Sequence, residues 1–275
     1  MDLTQILLYT AVGLSVGTLS GLFGIGGGFI LVPILLLLGV PIHTAVGTSL
    51  AMIFFTSLAG SYKHFTYKNI DLKRSLPLAL IAVLMVQLGV VIGSLFTESG
   101  LTATFAALML LTSAYFIYVH VSAQRFRKQL AEAAEKGEKV SLAESKVTMS
   151  DEKAILGLPK LIFMGSLVGL LSGIFGVGGG FILVPLLIVM GKMPIKSAIG
   201  NSLFVVMFAS LAGAVHHYLL GNVDLSILPA LAIGGILGGL FGAYLVKGVS
   251  GVKLKFAFNG LLLFSALFMT FNVFI

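Results

Sequence analysis

Two five-residue stretches carry the strongest chemical signal in the chain: Gly24-Ile25-Gly26-Gly27-Gly28 and Gly176-Val177-Gly178-Gly179-Gly180. Glycine admits left-handed backbone angles and lets other backbone approach closely. A run of such residues can turn successive N–H groups toward one concave side, where an anion fits. The apolar segments that follow begin at Phe29 and Phe181. Their helix N-termini would aim free N–H donors and positive dipole ends at the same place. The competing reading is that these glycines only allow tight helix packing, as small residues do in membranes. Neither stretch is a nucleotide motif, since no GxGxxG and no P-loop Lys-Ser/Thr is present.

A second constellation is Gly47-Thr48-Ser49 and its counterpart Gly200-Asn201-Ser202. These hydroxyls and this amide lie several residues inside apolar segments, where no water reaches them. They could hydrogen-bond the oxygens of a bound oxyanion. Equally, Ser and Thr can back-bond to a carbonyl of their own helix. His64 and His217 stand at segment ends, where imidazole could carry a coupling proton or simply anchor an interface. Asp71 and Asp224 read as helix caps or partners of nearby Lys and Arg, and Gln87 as an interhelical clamp. No HExxH motif and no paired intramembrane carboxylates are present, so no machinery for intramembrane hydrolysis is visible, and no metal or cofactor is implied.

The elements that must hold these groups follow from composition. Of 275 residues, 58% are hydrophobic and only 10% charged, with a mean hydropathy of +1.10. A soluble domain carries roughly 25% charged residues. The chain is therefore an all-α polytopic membrane protein. The net charge of +7 is spread over short loops, as expected for cytoplasmic loops rather than for a nucleic-acid partner. Cysteine is absent, which excludes disulfide and thiolate chemistry. The N-terminus shows no basic region or A-x-A site, so no cleaved signal peptide is expected.

An internal repeat organises the rest. Residues 19–39 and 171–191 agree at fifteen of twenty-one positions. Ala45–Leu50 then matches Ala198–Leu203, and His64, Asn69 and Asp71 match His217, Asn222 and Asp224. Residues 1–121 and 158–275 are thus two copies of one bundle, about five apolar segments each, giving eight to ten transmembrane segments. The charged stretch 122–157 joins them as a solvated linker. Residues 5–39 would be about 50 Å long as one helix, against an apolar core of roughly 30 Å. Each copy must therefore break at its glycines near the midplane into helix, loop and short returning helix.

Loop charge sets the relative orientation. YKHFTYKNIDLKR is basic where its counterpart HHYLLGNVD has no Lys or Arg. Lys192 and Lys196 face the uncharged GVPIH, and Lys247, Lys253 and Lys255 face TESG. All three comparisons reverse, which predicts inverted-topology repeats with a cytoplasmic linker and extracytoplasmic termini. No apolar run has an acid at its centre. Cation transporters usually carry intramembrane Asp or Glu, so an anionic cargo is favoured.

The duplicated GxFGxGGGF(I/L)LVP stretch, the AxGxSL element and the H…N-(I/V)-D segment together resemble the TauE/SafE family of membrane permeases, the sulfite exporters. The resemblance covers nearly the whole chain outside 122–157. It implies transport of a small sulfur-containing anion, sulfite or an organosulfonate such as sulfoacetate, generally outward across the cell membrane. Carried over by motif, the substrate site is Gly26, Gly27, Gly28, Thr48 and Ser49 with Gly178, Gly179, Gly180, Asn201 and Ser202. Thr48 and Asn201 occupy equivalent places yet differ, so the half-sites are not chemically identical. Uptake or a channel-like path is a second transport reading. A sensor or assembly protein acting through the linker is a reading of another class. The expected partners are the anion and membrane lipid, with a homodimer through outer helices compatible.

Overall fold

The computed structural model describes residues 2–112, 114, 157–246, 248 and 260. These residues form helices without strands: α1 (Leu3–Phe23), α2 (Gly28–Leu37), α3 (Ile42–Thr66), α4 (Leu72–Ser94), α5 (Glu98–Thr112), α6 (Leu158–Phe175), α7 (Gly180–Val189), α8 (Ile195–Leu219) and α9 (Leu228–Leu245). Six of them (α1, α3, α4, α6, α8 and α9) are long and apolar enough to cross a membrane. Helices α2 and α7 have ten residues each, half a span. Residues 113 and 115–121 of the apolar segment 101–121, the linker 122–156, nearly all of the apolar segment 254–274, and Lys247, Lys253 and Lys255 lie outside the described residues.

Both helix breaks fall at the glycines. α1 and α6 end with Gly24 and Gly176 as left-handed caps, at φ of 72° and 68°. Gly26 and Gly27, and Gly178 and Gly179, continue at positive φ, a region costly for any residue with a Cβ. Four residues carry the chain from Leu37 to the start of α3. Gly28 packs against Ile53 in the middle of α3. α2 therefore runs back toward the end from which α1 came.

The two copies interlock. A Cβ on Gly60 of α3 would meet Leu203 of α8, and one on Gly213 of α8 would meet Leu50 of α3. These crossed contacts make α3 and α8 antiparallel, with each Gly–Leu contact repeated by its equivalent. Glycine surfaces weld the outer pairs. A Cβ on Gly13, Gly17 or Gly21 of α1 would lie 2.3–2.5 Å from carbonyl oxygens of α9. Gly234, Gly238 and Gly242 stand equally close to α1. Gly89 of α4 and Gly169 and Gly173 of α6 repeat the pattern. Such close approach maximises dispersion where lipid supplies no hydrophobic drive between helices. The opposite face of α4 presents Leu76, Leu80, Leu84 and Leu88 at four-residue spacing, all exposed, as a lipid-facing stripe.

Charge is segregated along the bundle. The α3 C-terminus and the α8 N-terminus share one end, where Gly200 packs on Asn69 and His64. Lys63, Lys68, Lys73, Arg74, Lys192 and Lys196 gather there, and Lys160 joins them because α6 runs parallel to α4. Among the described residues these are all the Lys and Arg. Asp2, Glu98 and Asp224 lie at the other end.

Candidate functional site

A broken helix leaves its last carbonyls and the next helix's first N–H groups without partners. The carbonyls are answered by side chains, mostly from the other repeat. Ser49 of α3 donates its hydroxyl to Gly176 O at 2.8 Å, and Ser202 of α8 donates to Gly24 O at 2.7 Å. His217 Nε2 lies 3.4 Å from Gly173 O. His64 Nε2 is turned to the equivalent Gly21 carbonyl, without a hydrogen bond of ordinary geometry. Neither sequence reading of Ser49 and Ser202 holds in this conformation: they neither back-bond their own helix nor stand free.

The N–H groups are left over. Among the described residues no acceptor serves the amides of Ile25, Gly26, Gly27, Gly28 and Phe29, or those of Val177, Gly178, Gly179, Gly180 and Phe181. All ten residues are buried. A buried backbone donor without a partner costs about 1–3 kcal/mol and is rare in native structures. Ten of them at equivalent positions form a surface rich in donors, beside which the carbonyls of Gly24 and Gly176 are already taken by Ser202 and Ser49.

The two loops meet. A Cβ on Gly28 would fall 2.1 Å from Gly176 O, and one on Gly180 would fall 2.5 Å from Gly24 O. Between them stand Ile53 and Val206, each the twelfth residue of a 25-residue helix. Methyls of both side chains pack on Gly26 and on Gly178. The rings of Phe29 and Phe181 face each other at 6.3 Å between centroids. The donor surface therefore lies in an apolar box, where an electrostatic contact is stronger than in water.

Thr48 and Asn201 do a matching job away from the loops. Thr48 Oγ1 accepts the Asp224 amide and Asn201 Oδ1 accepts the Asp71 amide, both at 2.9 Å. Asn201 also accepts from Ser75 Oγ and donates to Asn69 O at 3.2 Å and Ser197 O at 2.7 Å. Its amide is thus fully used in joining α8 to the α3–α4 connection. The equivalent positions share a role as acceptors despite their different chemistry. Asp71 and Asp224 cap α4 and the turn before α9, through Lys73 N and Ser226 N, and Asp71 pairs with Arg74 at 3.2 Å. Gln87 clamps α4 to α8 through His216 Nδ1 and Ala212 O. His64 and His217 are buried inside the bundle, so they are not interfacial anchors.

Two further residues belong to this centre. Ser20 and Ser172 are equivalent, fully buried, and have hydroxyls without partners. The Ser20 Cβ lies 3.5 Å from the position a Cβ on Gly27 would take. Both stand in the duplicated Leu-Ser-Gly that opens the repeat. The repeat is the sequence signal that marks them.

The model of the family described as "Sulfite exporter TauE/SafE" matches residues 9–269. The chain belongs to the TauE/SafE family. It is similar to a probable membrane transporter protein of Methanocaldococcus jannaschii, MJ0441, with 30% identity covering 95% of this chain and 94% of that protein. Two Bacillus subtilis proteins, the probable membrane transporters YunE and YdhB, are 29% and 30% identical. They align with 86% and 88% of this chain and with 86% and 90% of their own lengths. No solved structure matches the chain. Membership makes this TauE/SafE chain a multi-pass membrane protein of a transporter family, in keeping with its six long apolar helices.

Proposed function

We propose that the protein is a secondary transporter that exports a small sulfur-containing oxyanion, sulfite or an organosulfonate such as sulfoacetate. The anion is held between the two glycine loops. The observation that carries this reading is the set of ten buried, unpartnered N–H groups at Ile25–Phe29 and Val177–Phe181. Carbonyl oxygens would repel an anion, and Ser49, Ser202 and His217 occupy those of Gly176, Gly24 and Gly173. The N-termini of α2 and α7 add positive dipole ends. None of the six long helices contains an Asp or Glu, so nothing within them offsets that polarity. Ser20 and Ser172 supply two further donors, which makes the site Gly26–Gly28 and Gly178–Gly180 with these hydroxyls. Thr48, Ser49, Asn201 and Ser202 hold the loops in register.

The repeats are inserted in opposite senses, which the antiparallel α3 and α8 support. The basic end faces the cytoplasm by the positive-inside rule, with the linker beside it and the termini outside. Transport then proceeds by rocking one set of helices against the other around the fixed loops, opening the box to each side in turn. Any proton moves on the substrate or through His64 and His217, since no carboxylate relay lies in the long helices. Flux of labelled sulfite and sulfoacetate into proteoliposomes tests the reading. Uptake above that of empty vesicles is expected, and no anion flux of any kind would refute it.

A further inference from the structure

Two hydroxyls of α3, those of Ser57 and Ser61, are unused by the loops and by the joints, and His64, whose Nδ1 lies 3.2 Å from Asn69 Nδ2, ends their row. Ser57, Ser61 and His64 recur at i, i+4 and i+7, so they share one face of the helix. Their exposures are 0%, 5% and 0%. Ser57 Oγ, Ser61 Oγ and His64 Nε2 all lack a hydrogen-bond partner. Intramembrane hydroxyls ordinarily return to a carbonyl of their own helix, as Thr56 does to Met52 O at 3.0 Å one residue away. Ser57 and Ser61 do not. From the level of Ile53 to His64 the file covers eleven residues, about 16 Å of helix. That is roughly half the apolar thickness of a bilayer. It starts beside the glycine loops and ends among the Lys and Arg of the basic end.

The other repeat lacks the file. Ser210, equivalent to Ser57, back-bonds to Met207 O at 3.2 Å. Ala214 replaces Ser61 and packs with Leu50 and Ala51. Only His217 is retained. The two routes out of the centre are therefore chemically unequal although the loops are alike. We infer that Ser57, Ser61 and His64 line a polar access path for the oxyanion from the basic end to the glycine loops. The equivalent path in the second repeat is dry. This rests on the anion reading above and adds to it the side on which the cargo enters along hydroxyls.

The chain has no cysteine, so single substitutions can be read by thiol labelling without background. S57C, S61C, S210C and A214C, each monodisperse in detergent, are reconstituted and exposed to a membrane-impermeant maleimide on either side. S57C and S61C should label from the basic side about tenfold faster than the other two, because labelling follows access, and sulfoacetate should slow them. The S57A/S61A double variant should lose most flux while S210A keeps it. Equal labelling at all four positions, or none at S57C and S61C, overturns the path whatever the cargo. Fast labelling of S57C and S61C that no anion slows, in a protein that moves no anion, would instead sink the transport reading and make the file a water path.

Discussion

Ser49 on α3 donates its hydroxyl to the carbonyl of Gly176, 127 residues further along the chain, at 2.8 Å. Ser202 returns the same bond to Gly24 at 2.7 Å. Each repeat thus finishes the helix break of the other. The first carbonyl of each loop is thereby satisfied from outside, while the N–H groups that follow stay free.

Removing either hydroxyl should leave a buried carbonyl without its partner. Ser49→Ala or Ser202→Ala is expected to destabilise the protein by about 1–3 kcal/mol. Thermal unfolding in detergent should show both losses, and the double variant should show a further loss. Unchanged unfolding in both single variants would mean that the crossed bonds do not hold the loops.

Gly28 and Gly39 separate crowding from backbone strain. A Cβ at Gly28 meets Gly176 O at 2.1 Å, whereas at Gly39, with φ of 81°, nothing lies within 4 Å. Gly39→Ala should cost about 1 kcal/mol of left-handed strain and leave flux intact. Gly28→Ala must push the loops apart and should abolish flux even where the protein still inserts. Equal effects of the two on flux would remove the loop contact from the mechanism.

Asn201 accepts the Asp71 amide as Thr48 accepts that of Asp224. Asn201→Thr keeps this acceptor but loses the bonds to Asn69 O and Ser197 O. Its stability should fall between wild type and Asn201→Ala, with the full loss about 2–4 kcal/mol for several buried groups left unpaired. Asn201→Ala matching wild type in unfolding but losing flux would return Asn201 to the substrate.

The sidedness rests on the seven described Lys and Arg at one end. Single cysteines at Lys68 and Asp2 should label from opposite faces of intact cells, with Asp2 on the outside. Labelling of both from one face would contradict the insertion of α1 and α3.

Much of this was legible in the residues. The repeat located both breaks, because three adjacent glycines, a Phe and a Pro stand in the same register in both copies. Hydropathy located the long helices, since spans in lipid are dictated by composition. The partners of Ser49, Asn201 and Thr48 were not legible. All three bond across more than 120 residues, and sequence spacing speaks only of contacts within one helix. The same limit hid the burial of His64 and His217, which end their own helices but lie against α1 and α6. The idle hydroxyls of Ser57 and Ser61 look in sequence like any back-bonded serine, and only the count of partners sets them apart from Thr56.

Selenite has the shape and charge of sulfite and scatters anomalously, so it can mark the anion site directly. In crystals of the wild-type protein grown with selenite, a selenium peak is expected between the loops, with its oxygens about 2.7–3.2 Å from amides of Ile25–Phe29 and Val177–Phe181. A selenite peak bound elsewhere in the bundle, with those amides unengaged, would contradict the site.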